Sequence, residues 1–123
     1  MPKKILLVED YDEFREMVKV HLVKHNSQWE IFEASSGELG VIKALREHPD
    51  VVLMDIRLPN INGIDAANQI KKYLPQVKII ILTMFETDAF KEMFKSEDIT
   101  AYIGKSEIYE KLIPEIEKHL AEA

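Results

Sequence analysis

The stretch Val51-Val52-Leu53-Met54-Asp55 constrains this chain more than any other. Four apolar residues in succession are too few for a core helix, and Pro49-Asp50 before them and Pro59-Asn60 after them mark tight bounds. Such a run is a strand buried on both faces, the habit of a parallel sheet covered by helices. Asp55 closes it at the carboxyl end, where loops leave the strands of an open α/β sheet and ligands gather. A lone Asp there is most simply a loop opener or a cap. The remainder of the chain supplies the reason to read it as reactive.

Lys4 to Val8 is a second apolar run, and it ends on Glu9-Asp10. Residues 11–26 carry Phe14, Met17, Val18 and Leu22 at helical spacing, a stripe that packs on a sheet. Trp29 to Ala34 alternates as a strand. Ser35, with Glu38 three residues on, has the capping-box pattern and predicts a helix through Leu39, Ile42 and Leu45 to His48, stopped by Pro49. Asn62 caps a predicted helix over Gly63 to Leu74, with Ile64, Ala67 and Ile70 inward and Pro75 ending it. Lys78 to Thr83 is a fourth strand that closes on a hydroxyl. Residues 86–95 carry Phe90, Met93 and Phe94 on one face, read as core, with Phe85 the aromatic most expected outside it. Thr100 to Gly104 is a fifth strand followed by Lys105. Ser106 then caps a last helix toward Leu120, which Pro114 kinks or begins.

Strand and helix thus alternate five times with short connections. The pattern predicts one α/β domain over 1–123, a doubly wound, mostly parallel sheet covered on both faces. Right-handed crossovers put every strand's carboxyl end on one edge, which collects Glu9, Asp10, Asp55, Thr83 and Lys105 from almost the full length of the chain. With 16 basic and 22 acidic side chains the net charge is −6, which argues against direct nucleic-acid binding by this domain. Cysteine is absent, which excludes disulfide and thiolate chemistry. No signal peptide opens the chain and no apolar run approaches the ~20 residues of a membrane span, so a cytoplasmic protein without a membrane partner is expected.

Three carboxylates held close repel one another unless a cation neutralises them. Oxygen ligands without histidine or thiolate favour a hard ion, and a small carboxylate set completed by water and a phosphoryl oxygen suits Mg²⁺. Lys105 offers positive charge where an anion can arrive, and the Thr83 hydroxyl can donate to it. A carboxylate nucleophile, a divalent cation, a lysine and a hydroxyl together serve phosphoryl transfer to Asp, with Asp55 on the middle strand as acceptor.

The same residues resemble those of bacterial two-component response-regulator receiver domains, the CheY-like family, from about Lys3 to the end of the chain. The matching positions are Glu9-Asp10, Asp55 followed by Ile-Arg-Leu-Pro and then Gly63, Thr83, and Tyr102-Ile-Gly-Lys105. The resemblance implies a five-stranded sheet in the order 2-1-3-4-5 with five helices. It further implies Mg²⁺ held by Glu9, Asp10, Asp55 and the backbone carbonyl of Arg57, and a phosphoryl group on Asp55 taken from a histidine kinase, a phosphotransfer protein or a small donor such as acetyl phosphate. Thr83 and Lys105 would contact that group, and Tyr102 would swing inward as Thr83 moves. The face of the fourth helix, fifth strand and fifth helix would then act on an output domain or downstream protein, or pair two copies. Such a protein catalyses only its own phosphorylation and dephosphorylation.

The chain departs from the family pattern in places. Ser106 stands where many members have proline, which resembles the subfamily with LuxR- or NarL-type output domains. The usual small residue after the hydroxyl is replaced by Met84, followed by Phe85, and the glycine common before the fifth strand is missing from Glu97-Asp98-Ile99-Thr100. A degenerate receiver acting as a phosphorylation-independent interaction module is therefore the alternative. A phosphatase of the haloacid-dehalogenase type wants a second Asp where Arg57 stands. A flavin or dinucleotide carrier wants a phosphate-cradling loop where Glu9-Asp10 would repel one. His21 and His25, one turn apart, have no acidic or cysteine partner nearby in sequence and are read as structural. The chain is expected to be either a free-standing regulator or a piece of a longer one.

Overall fold

The computed structural model describes residues 2–122. Five strands, β1 (Lys4–Val8), β2 (Glu30–Ala34), β3 (Val51–Asp55), β4 (Lys78–Thr83) and β5 (Ala101–Gly104), form one sheet in the order β2-β1-β3-β4-β5. Every pair is parallel. The connections carry α1 (Asp12–His25), α2 (Gly37–Glu47), α3 (Gly63–Tyr73) and α4 (Asp88–Met93), and α5 (Ile113–Glu122) follows the last strand.

The central strands are apolar at successive positions because both faces are covered. Ile5, Leu7, Leu53, Ile80 and Leu82 pack with Val18 and Leu22 of α1 and with Leu112 and Ile116. Their neighbours Leu6, Val8, Val52, Met54, Ile79 and Ile81 pack on the opposite face with Ala44 of α2 and Ala66, Ala67 and Ile70 of α3. All these strand side chains are buried, so each removes most of its apolar surface from water, about 1.5–3 kcal/mol apiece.

Local details differ from the sequence expectations. Ser36, not Ser35, caps α2, its hydroxyl accepting from the Leu39 amide at 3.2 Å. Asn62 caps α3 as expected, accepting from the Asp65 amide at 2.9 Å. In α2 the buried positions are Gly37, Gly40 and Ala44, while Leu39, Ile42 and Leu45 stand in solvent. The helix lies so close to β1 that a Cβ on Gly40 would come within 2.9 Å of the Val8 side chain, so only small residues fit beneath it.

The segment 86–95 is not a core helix. α4 spans six residues, none buried, and Phe90 and Met93 are exposed; only Phe94 packs against the core. A helix of that length cannot lay a face across the sheet, and its aromatic rings cover one another instead. Phe85, expected outside, stacks on Phe90 at 4.4 Å and lies 6.3 Å from Phe94. Ser106 does not cap the last helix. Its hydroxyl donates to Glu86 Oε1 at 2.6 Å, and a 3₁₀ turn (Lys105–Glu107) and a widened π turn (Ile108–Leu112) precede α5. Pro114 stands second in α5 and marks its regular beginning. Proline has no N–H to continue an α ladder, and its ring crowds the preceding turn's carbonyl, which explains the wider turn before it.

Candidate functional site

Because every strand is parallel, β1, β3, β4 and the turn after β5 deliver their terminal side chains to one edge. Glu9 extends the β1–β2 ladder, its amide donating to the Ala34 carbonyl at 3.0 Å. Its side chain is buried beside Asp55, whereas Asp10 is exposed at the rim. Glu9, Asp10 and Asp55 each present an oxygen within 4.8 Å of the others, the one such group among the described residues. The Lys105 ammonium reaches in from beyond β5, 2.6 Å from Glu9 Oε1 and 3.1 Å from Asp55 Oδ2.

The floor of the site is backbone. The Arg57 amide donates to Asp55 Oδ1 at 3.2 Å, and the Gly63 amide donates to the Ile56 carbonyl at 2.8 Å. The start of α3 thereby presses on the end of β3, where a Cβ at Gly63 would lie 1.9 Å from the Asp55 carbonyl oxygen. Glycine is obligatory there for space rather than for an unusual backbone angle.

Burial, together with the nearby Asp55 charge and against the hydrogen bond from Lys105, pushes the Glu9 carboxyl up to about 7. Burial also disfavours the Lys105 ammonium, but its bonds to Glu9 and its attraction to Asp55 outweigh that and raise its pKa. Lys105 is therefore a fixed cation at neutral pH. Glu9 is poised to exchange a proton for a metal. Three carboxylate oxygens without histidine or thiolate suit a hard divalent cation such as Mg²⁺.

Thr83 is buried and its hydroxyl accepts from the Phe85 amide at 2.9 Å, a local turn that orients the side chain at the strand end. Tyr102 is half-buried and packs against the cluster that α2 and α3 share over the sheet. Its hydroxyl donates to the Phe94 carbonyl at 2.8 Å and accepts from the Ser96 amide at 3.2 Å, which ties β5 to the end of α4. Met84 is 67% exposed, and the Phe85 ring carries the Arg57 guanidinium 5.6 Å from its centre. Neither bulky side chain blocks Asp55 from Lys105.

His21 and His25 share no ligand: His21 meets the Tyr109 ring edge-on, and His25 Nε2 lies 3.1 Å from Glu117 of α5. Sequence spacing assigned Phe14 to the packing stripe alone. The structure also places its ring face 4.3 Å from the Lys105 ammonium, a contact between chain-distant residues that periodicity cannot signal.

A family model described as response regulator receiver domain matches residues 5–117. The response regulator protein VraR of Staphylococcus aureus is 34% identical over 108 residues, covering 86% of this chain and 51% of VraR. The chain thus spans about half the length of the curated relatives it matches. Among solved structures, a LuxR-family two-component response regulator from Aurantimonas superposes with a TM-score of 0.87 at 28% identity, covering 98% of this chain and 86% of that one. The response regulator TrrA of Thermotoga maritima, solved in complex with Mg²⁺ and BeF, superposes with a TM-score of 0.85 at 31% identity, covering 95% and 98%.

Proposed function

The chain belongs to the response regulator receiver domain family, and from that premise we propose that it is a phosphorylation switch whose acceptor is Asp55. The observation that carries this reading is the convergence of Glu9, Asp10 and Asp55 oxygens within 4.8 Å, with the Lys105 ammonium 3.1 Å from Asp55. An Asp55 carboxylate oxygen attacks phosphorus, and the P–N bond of a kinase phosphohistidine, or the P–O bond of acetyl phosphate, breaks with its electron pair leaving on the donor. Glu9, Asp10, Asp55 and the Arg57 carbonyl are the groups that would hold Mg²⁺. The chemistry Mg²⁺ supplies when bound is relief of carboxylate repulsion and withdrawal of charge from the phosphoryl oxygens.

Lys105 supplies a fixed positive charge to the new phosphoryl group, and the Thr83 hydroxyl donates to it once it leaves the Phe85 amide. Moving Thr83 toward the phosphoryl group loosens the turn at residue 85 and vacates room into which Tyr102 swings, and that swing gives up its bonds to Phe94 and Ser96 and releases the end of α4. Shifting a two-state domain from about 1% to about 99% active takes roughly 5.5 kcal/mol, within reach of several charge-assisted bonds. The α4, β5 and α5 face then acts on an output domain or a partner, or pairs two copies. This domain contacts no nucleic acid itself, and its only chemistry is the gain and loss of its own phosphoryl group. Among the described residues, no helix is long and apolar enough to cross a membrane.

Incubation with acetyl phosphate and Mg²⁺, followed by intact-mass measurement, tests the acceptor. Wild type gains one phosphoryl group and Asp55→Asn gains none; uptake by the variant, or none by wild type, sinks the reading.

A further inference from the structure

Lys105 has three N–H donors, and two acceptors, Glu9 Oε1 at 2.6 Å and Asp55 Oδ2 at 3.1 Å, are carboxylate oxygens. The third neighbour is the Phe14 ring, whose centre lies 4.3 Å from Nζ, well inside the range in which an aromatic face attracts a cation. Phe14 stands in the first turn of α1 and packs against the buried cluster that α1 and α5 share over the sheet, so the ring is held from behind. The carboxylates are less constant partners. They are the groups a divalent cation would claim, and that cation would repel the ammonium. The ring face attracts the ammonium, accepts no proton and ligates no hard metal, so it competes for nothing the acids do.

We propose that Phe14 is a positioning residue for Lys105, holding the ammonium over Asp55 by its ring face when the carboxylates turn to a metal ion. This rests on the phosphoryl-transfer reading of Asp55. An aliphatic residue at 14 would still fill space against the core but would leave the ammonium to the carboxylates alone.

The test uses the full chain in three forms, wild type, Phe14→Leu and Phe14→Tyr. In metal-free wild type, ring current shifts the Lys105 Hε resonances upfield of those of the other lysines. The shift disappears in Phe14→Leu and stays in Phe14→Tyr. The initial rate of phosphoryl uptake from acetyl phosphate at saturating Mg²⁺ falls about tenfold in Phe14→Leu, about 1.4 kcal/mol, and returns to within about twofold of wild type in Phe14→Tyr. Mg²⁺ affinity is the same in all three. Unshifted Lys105 resonances in wild type, an unchanged rate in Phe14→Leu, or equal loss in both variants overturns the proposal. Failure of wild type to take up phosphoryl at all overturns the reading of Asp55 instead, and the ring-current shift still decides where Lys105 sits.

Discussion

Glu9 is the residue whose protonation decides most about the edge of the sheet. Its carboxyl stands at about 7 in the folded chain against an ordinary 4.5, so the folded state binds its proton more tightly than the unfolded state does. For the metal-free domain, the stability this group contributes is fully present below pH 4.5 and is lost as the pH rises through about 7. A metal ion needs the ionised carboxylate and reverses the preference. Titration calorimetry on either side of neutral pH is expected to show Mg²⁺ binding tightening as the pH rises, and Glu9→Gln is expected to flatten that dependence. Gly63 is the second decisive residue. A Cβ there would sit 1.9 Å from the Asp55 carbonyl oxygen, and every atom it would strike is backbone, with no flexible side chain to yield. Gly63→Ala is expected to lower stability by at least about 3 kcal/mol in urea denaturation, and an unchanged midpoint would show that α3 can back away from β3.

At the scale of elements, caps and ties separate expectation from observation. Ser36 accepts from the Leu39 amide at 3.2 Å and so satisfies one orphan donor of α2. Ser36→Ala should cost about 1 kcal/mol and Ser35→Ala almost nothing, and equal losses would mean that the two serines share the cap. The α4 segment is joined to β5 through Tyr102, whose hydroxyl contacts the Phe94 carbonyl at 2.8 Å and the Ser96 amide at 3.2 Å. Since α4 buries none of its own residues, such bonds contribute much of what fixes its far end. Tyr102→Phe is expected to speed hydrogen exchange at the Ser96 amide about tenfold while leaving the β3 amides unaffected. Uniform acceleration would place Tyr102 in the global fold rather than in the tie.

At the scale of the whole molecule, anything that binds only the folded site must stabilise the entire domain. A ligand at about 100 times its dissociation constant adds about 2.7 kcal/mol, which for a domain of this size raises the melting temperature by about 10 °C. Mg²⁺ with beryllofluoride is expected to produce that shift by scanning calorimetry in wild type and little of it in Asp55→Asn. The five strands were legible in the sequence because burial on both faces writes uninterrupted apolar runs, and a parallel sheet then obliges Glu9, Asp10, Asp55, Thr83 and Lys105 to share one edge. The outward turn of Leu39, Ile42 and Leu45 was not legible, since it follows from how closely Gly40 brings α2 onto Val8. Nor was the shortness of α4, whose aromatic spacing fits core and surface stacking equally well. By itself the sequence determined which strand-end groups share the edge. Tertiary structure alone decided how they meet: the bonds of Lys105 to Glu9 and Asp55, the Phe14 ring against its ammonium, and the burial that raises the Glu9 carboxyl. Distances and desolvation between residues remote in the chain arise from packing, which no local pattern encodes.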